Sequence, residues 1–265
     1  MEKLDDHILE LGERGIVKLA GLVPVEEAGV AREMIFDLAK KHAVFSAGRW
    51  IKSPSRFGYP KPFRDALNQL NRTDEFPDLI GRRITSLIEE LLDAPVSPMS
   101  PGQQILFSLP VEDDWSVPSD AWHVDLPRFG DQASSGLQAF TLLDDVEPRG
   151  GATLVIAGSH RLGNNSGKLS SRELKRKLRK ERYFRSLFDP GRAAISELSE
   201  TVGRVDDVDL EVVELSGRTG DVYLMDLRVL HTPAPNSSDK ARLMLTCRFP
   251  RTTIAAGFGD PMVAA

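Results

Sequence analysis

Residues 137–157 read LQAFTLLDDVEPRGGATLVIA, in which two apolar runs flank a polar segment. The runs at 137–143 and 153–157 are short and rich in β-forming residues. The segment between them contains Pro148, Gly150 and Gly151, which favour turns for steric reasons. This pattern predicts two short strands separated by a turn.

The second half of the chain repeats this pattern. Further β-rich runs lie at 103–109, 211–215, 221–225 and 242–249. Several short strands with turn signals between them predict a β-sandwich or barrel, and the absence of long helices alternating with them disfavours a parallel sheet. The first half instead carries apolar residues at helical spacing over 25–42 and 76–92, after a strand-like run at 15–19. We therefore expect a mainly β protein with flanking helices, of the α+β class.

The length of 265 residues fits a single domain spanning residues 1–265. We expect residues 1–100 to form its largely helical part and 101–250 its β core. A segment at 160–205 interrupts the β pattern and predicts an inserted helical lid. Within it, residues 170–192 alternate basic and apolar side chains, which indicates an amphipathic basic helix. A solvated helix face is the competing interpretation of this stretch.

Composition narrows the class of protein. The net charge of −5 and the pI near 5.6 argue against a general nucleic-acid binder, which needs a basic surface to displace counterions. The single cysteine, Cys247, excludes an intramolecular disulfide. The acidic start of the chain does not resemble a signal peptide, and no apolar run is long enough to span a membrane. We expect a cytoplasmic protein that makes no membrane contact.

The residues that carry chemistry begin with His123-Val124-Asp125. On a strand, side chains alternate between faces, so His123 and Asp125 would point the same way. Of the five histidines, His231 is the best third ligand because it follows the predicted strand at 221–225. Two histidines and one carboxylate on one face of a metal leave the opposite positions open, as in non-haem Fe(II) oxygenases. A structural zinc site would need a fourth protein ligand, usually a thiolate, and one cysteine makes that a poor fit.

A second signal is Arg242, which lies eleven residues after His231 at the start of the next predicted strand. A charged residue heading an apolar strand calls for a partner. Because a guanidinium pairs with a carboxylate through two parallel hydrogen bonds, Arg242 could bind the distal carboxylate of a 2-oxo acid that chelates the iron.

At these residues the chain resembles the phytanoyl-CoA dioxygenase family of Fe(II)/2-oxoglutarate-dependent oxygenases. Residues 147–161, EPRGGATLVIAGSHR, resemble the family's Gly-Ser-His segment, and residues 15–27 resemble its amino-terminal strand and helix start. The offset from His231 to Arg242 also matches the family's spacing. The resemblance implies a double-stranded β-helix, the cupin-like jelly roll, with the amino-terminal helices packed on one sheet.

The resemblance also implies roles for individual residues. His123, Asp125 and His231 would be the catalytic iron ligands, and Arg242 would bind the carboxylate of 2-oxoglutarate. Phe140 and Gln104, with Gln103 as the alternative to Gln104, would line the co-substrate pocket. Because Asp125 is present, hydroxylation or desaturation of a small molecule is expected rather than halogenation, with release of succinate and CO2. Dioxygen would be the other reactant.

Contacts to the principal substrate are less defined by the sequence. Arg128 and Arg248 could reach an acidic substrate. The alternative for Arg128 is an ordinary surface arginine, and the alternative for Arg248 is a salt bridge at the sheet edge. The basic residues of 170–192 could attract an anionic or carrier-linked substrate. Three rival functions remain at this point: a nucleobase or nucleic-acid demethylase of the same oxygenase class, a non-catalytic jelly-roll binding protein, and a cupin-type metal enzyme. The demethylase is disfavoured by the acidic chain and by the early position of Arg242.

Overall fold

The computed structural model describes residues 2–55, 58–112, 115–129, 134–163, 168–188 and 203–255. The α-helices are α1 Glu2–Arg14, α2 Val25–Lys41, α3 Lys61–Leu70, α4 Gly81–Leu92, α5 Ser171–Leu178, α6 Arg182–Leu187 and α7 Thr252–Ala255. The strands are β1 Ile16–Leu19, β2 Phe45–Ser46, β3 Arg49–Trp50, β4 Gln104–Ser108, β5 Arg128–Phe129, β6 Gly136–Leu142, β7 Thr153–Ala157, β8 Lys168–Leu169, β9 Gly203–Val205, β10 Val208–Glu214, β11 Val222–Asp226, β12 Leu230–Pro233 and β13 Arg242–Pro250.

Two antiparallel sheets form the core. One has five strands in the order β1-β11-β6-β13-β4, and the other has four in the order β12-β7-β10-β9. Phe140, Met225 and Met244 of the first sheet pack against Val155 and Leu215 on the side of the second. The two sheets therefore face each other across an apolar interior, and the predicted jelly-roll fold is confirmed.

The amino-terminal helices cover the outer face of the five-stranded sheet, as predicted. Ile35 of α2, Phe63 of α3 and Ile84 of α4 belong to the same buried cluster as the outward-facing Ala139 and Leu245. This packing leaves the opposite face of the sheet to line the interior. One side of each central strand is thus committed to the helices and the other to the candidate site.

The predicted helix at 76–92 begins later than expected, at Gly81. The amide N–H groups of Leu79 and Ile80 both donate to Oε1 of Gln103, at 3.0 and 3.2 Å. The carboxylate of Asp78 accepts from the Gly81 amide at 2.8 Å. Because side chains satisfy these amides, the preceding residues are held in a turn and the helix starts only after it.

The predicted basic helix at 170–192 is two short helices, α5 and α6, and residues 189–192 lie outside the described residues. A continuous helix would place Leu187 roughly 140° around its axis from Leu174, at about 100° per residue. The break before α6 instead brings Leu174, Phe184 and Leu187 into one cluster with the outer face of the four-stranded sheet. We call residues 170–188 the basic insertion.

Across the described parts of the chain, none of the helices combines the length and the apolar character needed to cross a membrane.

Candidate metal centre

His123, Val124 and Asp125 do not form a strand, and in this respect the sequence prediction was wrong. The segment is extended but makes a single antiparallel bridge, in which His123 and His231 exchange two backbone hydrogen bonds of 2.9 Å. The chain then bends at Asp125, and the Leu126 amide donates to the Leu227 carbonyl at 3.0 Å. The bridge and the bend replace a regular strand pair, and they place the centroids of the two imidazole rings 4.3 Å apart.

The structure brings the three predicted ligands together. One ligand atom from each of His123, Asp125 and His231 lies within 4.8 Å of the others. Nε2 of His231 is 3.7 Å from Oδ2 of Asp125, and both side chains are more than nine-tenths buried. Such a cluster could hold one metal ion.

Both imidazole rings are held in the tautomer that a metal requires. Nδ1 of His123 lies 2.9 Å from the Ala121 carbonyl oxygen, and Nδ1 of His231 lies 3.0 Å from that of Val229. A carbonyl oxygen can only accept, so each Nδ1 carries a proton, and in the neutral ring the lone pair is on Nε2. Burial, more than any other cause, lowers the pKa of His231 to about 4, so this imidazole is neutral near pH 7.

The carboxylate of Asp125 provides the test of whether a cation fits. Its Oδ1 accepts a 2.6 Å hydrogen bond from Nε of Arg248. Its Oδ2 is buried and has no hydrogen-bond partner in the described structure. A buried carboxylate oxygen without a partner is costly, and a cation facing the two Nε2 atoms would remove that cost. Two imidazoles and one carboxylate, without a thiolate, suit a non-haem divalent iron.

Arg242 lies on β13 and its side chain is buried. Its Nη1 contacts the Met244 sulfur at 3.3 Å, its Nε has no hydrogen-bond partner, and no carboxylate of a described residue forms a salt bridge with it. Desolvation by burial lowers the pKa of Arg242 to about 10, and nearby Tyr59 partly opposes this shift. A buried guanidinium without a carboxylate partner is a ready site for an anionic group.

Phe140 and Gln104 lie on the same inner face as the arginine. Both are cross-strand neighbours of Thr246, from β6 and β4 respectively, and Phe140 is buried. Gln103 instead points outward and accepts the amides that precede α4, so the structure favours Gln104 of the two predicted alternatives.

Of the two arginines predicted to contact the substrate, the structure describes the side chain of Arg248 but only the backbone of Arg128. The backbone of Arg128 lies in β5 opposite Leu169, and its side chain lies outside the described residues. Arg248 forms a salt bridge, but with Asp125 at the centre of the site rather than at a sheet edge. His160 is buried with its Nε2 3.2 Å from the Gly12 carbonyl oxygen, in keeping with a structural role.

Two interior polar groups were missed by sequence reasoning. Oε1 of Gln138 and the hydroxyl of Ser108 are buried and have no hydrogen-bond partner within the described residues. Gln138 is paired across the strands with Arg248, and Ser108 is paired with Arg242. Even spacing could have found both, because Gln138 is two residues before Phe140 and Ser108 is four after Gln104.

The metal-free protein should lose stability on mild acidification. His231 has a lowered pKa of about 4 in the folded state, against roughly 6.5 when unfolded, so between these values the unfolded chain binds the extra proton. The free energy of unfolding should therefore fall by about 2 kcal/mol from pH 7 to pH 5. Burial also lowers the pKa of His160, which adds to the loss. Urea unfolding at pH 7 and pH 5 measures the loss of stability, which should be smaller in His231→Asn than in the wild type. An equal loss in the variant and the wild type would show that His231 is not its main cause.

The fold and the site together define a class of protein: a jelly roll whose interior presents two histidines and one carboxylate to a single metal. Residues 60–244 match the family model described as phytanoyl-CoA dioxygenase. The match covers more than half of the chain, and the chain belongs to this family. It is an enzyme of the non-haem iron, 2-oxoglutarate-dependent class, with iron as cofactor and 2-oxoglutarate as co-substrate.

Solved structures support the fold. The epimerase SnoN, in complex with Fe3+, alpha ketoglutarate and nogalamycin RO, has a TM-score of 0.57 and 20% identity, covering 100% of this chain and 92% of that one. AviO1 from Streptomyces viridochromogenes Tue57 has a TM-score of 0.57 and 18% identity, covering 94% and 95%. HygX from Streptomyces hygroscopicus, with nickel and 2-oxoglutarate bound, has a TM-score of 0.53 and 13% identity, covering 93% and 87%. No curated protein sequence gives a significant match.

Proposed function

We propose that this enzyme hydroxylates or desaturates a C–H bond of a small molecule. In hydroxylation, one oxygen atom of O2 would enter the product and the other would enter succinate, while 2-oxoglutarate loses CO2. His123, Asp125 and His231 would hold the iron. The observation that carries the proposal is the buried, unpartnered Oδ2 of Asp125 facing the Nε2 atom of His231. The structures of SnoN and HygX contain Fe3+ or nickel together with the 2-oxo acid, which is consistent with the proposal.

The bound iron supplies the activation of O2, and the chain supplies position and environment. The backbone carbonyls of Ala121 and Val229 keep the two histidines in the metal-binding tautomer. Arg242 would pair with the distal carboxylate of 2-oxoglutarate, and Gln104 would donate to the same co-substrate. Phe140 and Met244 would exclude water from the reacting centre, where charges interact more strongly than in bulk solvent.

The experiment is anaerobic binding of 2-oxoglutarate to the Fe(II)-loaded protein, followed by a screen of small molecules for stimulated succinate release. We expect 2-oxoglutarate to bind only when the metal is present, and one class of molecule to raise succinate release in step with its own oxidation. Failure of the iron-loaded protein to bind 2-oxoglutarate would contradict the proposal and favour a non-catalytic binding protein.

The basic insertion offers a route for selecting the substrate. Residues 170–188 contain eight basic and two acidic residues in a chain of net charge −5. Six of the basic side chains are exposed and form no salt bridge to a described residue: Arg172, Arg176, Arg179, Lys180, Arg182 and Arg185. The insertion also contacts the metal-binding segment, because the Ser171 hydroxyl accepts from the Val124 amide at 3.0 Å. We propose that it flanks the site and attracts an anionic or carrier-linked substrate.

Reversing two of these charges should weaken capture of an anionic substrate. For Arg172→Glu/Arg176→Glu, we expect KM to rise about tenfold at low salt with kcat unchanged, and the difference to fade at high salt as the charges are screened. Arg82→Glu on α4 is the control, because Arg82 is exposed and distant in sequence from the insertion. Equal KM values for the double variant and the control would show that the insertion is only a solvated face.

A further inference from the structure

The two oxygens of Asp125 have different environments. Oδ1 accepts a 2.6 Å hydrogen bond from Nε of Arg248, and Oδ2 has no hydrogen-bond partner among the described residues. The Asp125 side chain is 7% exposed and that of Arg248 is 30% exposed. The contact joins residues 123 positions apart in the chain. One oxygen of this carboxylate is therefore engaged by Arg248, and the other has no hydrogen-bond partner in the described structure.

Arg248 is the better fixed of the two partners. It lies two residues before the end of β13, paired with Gln138 of β6, and its carbonyl accepts from the Met99 amide at 2.8 Å. Asp125 lies in a bend next to an isolated bridge. A strand residue whose backbone is paired with β6 on one side and bonded to Met99 on the other is held more firmly than a residue in such a bend. The arginine therefore orients the carboxylate, rather than the reverse.

We propose that Arg248 is a positioning residue that reserves Oδ1 of Asp125, so that the metal receives Oδ2 alone. This inference rests on the proposed function. A carboxylate can bind a cation through one oxygen or through both. Two histidines and one oxygen leave three positions of an octahedral ion open, enough for a chelating 2-oxo acid and O2. A second oxygen from Asp125 would occupy one of these positions and compete with the co-substrate.

Removing Arg248 should therefore lower the affinity for 2-oxoglutarate but not the affinity for the metal. A general loss of structure would lower both. Without the arginine, both carboxylate oxygens become available and the carboxylate loses its neutralising partner, so metal affinity should stay within about threefold of wild type or increase. The affinity for 2-oxoglutarate should fall about tenfold or more, which corresponds to roughly 1.4 kcal/mol, because the second carboxylate oxygen competes for one of its positions. Arg248→Lys keeps the charge and one donor group, so it should give a smaller loss than Arg248→Met.

The experiment compares wild type, Arg248→Met, Arg248→Lys and the control Arg251→Met. Arg251 is a matched arginine from just beyond the same strand, whose Nε and Nη2 donate to the carbonyls of Ser134 and Leu92. Mn(II) affinity is measured by electron paramagnetic resonance titration. Co-substrate affinity is measured anaerobically from the charge-transfer absorption of the Fe(II)–2-oxoglutarate complex. Thermal unfolding of the metal-free proteins shows which variants are folded.

The expected result is retained Mn(II) binding with weakened 2-oxoglutarate binding in Arg248→Met, partial recovery in Arg248→Lys, and wild-type behaviour in Arg251→Met. Unchanged 2-oxoglutarate affinity in Arg248→Met would overturn the positioning role alone. A parallel loss of both affinities would also overturn it, because it would mark a purely structural residue. If wild type binds Mn(II) but not 2-oxoglutarate, the proposed function itself fails, and the positioning role falls with it.

Discussion

Replacing Asp125 by asparagine is expected to abolish metal binding and 2-oxoglutarate turnover. The substitution preserves the shape of the side chain and leaves an oxygen for Arg248, but it removes the negative charge that faces Nε2 of His231. Iron affinity should fall by at least about 100-fold, because removing one charge from a buried pair of opposite charges costs several kcal/mol. Equilibrium metal titration and succinate release measure the two effects. His123→Ala and His231→Ala should give the same loss.

His7→Ala is the control for these variants, because His7 lies on α1 and is not part of the metal cluster. It should bind metal and turn over 2-oxoglutarate as wild type does. Metal-dependent turnover that persists in Asp125→Asn or His231→Ala would remove the assignment of these residues as ligands. Loss of activity with metal affinity unchanged would instead point to a role after metal binding.

Replacing Arg242 by methionine should stabilise the metal-free protein and yet destroy its response to 2-oxoglutarate. The guanidinium is buried, its Nε has no partner, and burial lowers its pKa to about 10, so the folded state carries an uncompensated charge. Exchanging such a charge for an apolar side chain should raise the free energy of unfolding by about 1–2 kcal/mol. The affinity for 2-oxoglutarate should fall at least about 100-fold, since a buried partner of a charged group is worth several kcal/mol.

Urea unfolding of the Mn(II)-loaded proteins, with and without 2-oxoglutarate, measures both effects. Wild type should gain stability with rising 2-oxoglutarate concentration, and Arg242→Met should not. Arg242→Lys keeps the charge but lacks the planar fork, so its gain should be intermediate. A strongly destabilised Arg242→Met protein would show that the arginine already has a structural partner, which would contradict the assignment.

The fold could be predicted because its signals are local. Short apolar runs with turns between them located β4, β6, β7, β10, β11 and β13 to within a few residues. The elements that were missed carry weak local signals. Strand β12 has four residues, and α1 is mostly polar although Leu4, Ile8 and Leu11 recur at helical spacing. The break between α5 and α6 depends on which sheet face the helices must cover, and periodicity alone does not contain that information.

The candidate site could be predicted by residue type but not by its supporting contacts. A histidine and a carboxylate two residues apart, a distant histidine and a lone arginine are visible in one sequence because they are unusual in β-rich segments. The salt bridge from Arg248 to Asp125 joins residues 123 positions apart in the sequence, which only the folded structure brings together. The assumption that residues 123–125 form a strand was wrong, since the bridge between His123 and His231 places the ligands without one.

The hydrogen bond from the Val124 amide to the Ser171 hydroxyl connects the metal-binding segment to the basic insertion. The edge-to-face contact between Trp122 and Phe188, with ring centroids 6.0 Å apart, adds a second tie between the same parts. If a charged molecule seated on α5 and α6 changes the affinity for the cation by some factor, the cation must change the affinity for that molecule by the same factor. A substrate bound to α5 and α6 would then change the affinity of the interior site for iron before the substrate itself entered the barrel.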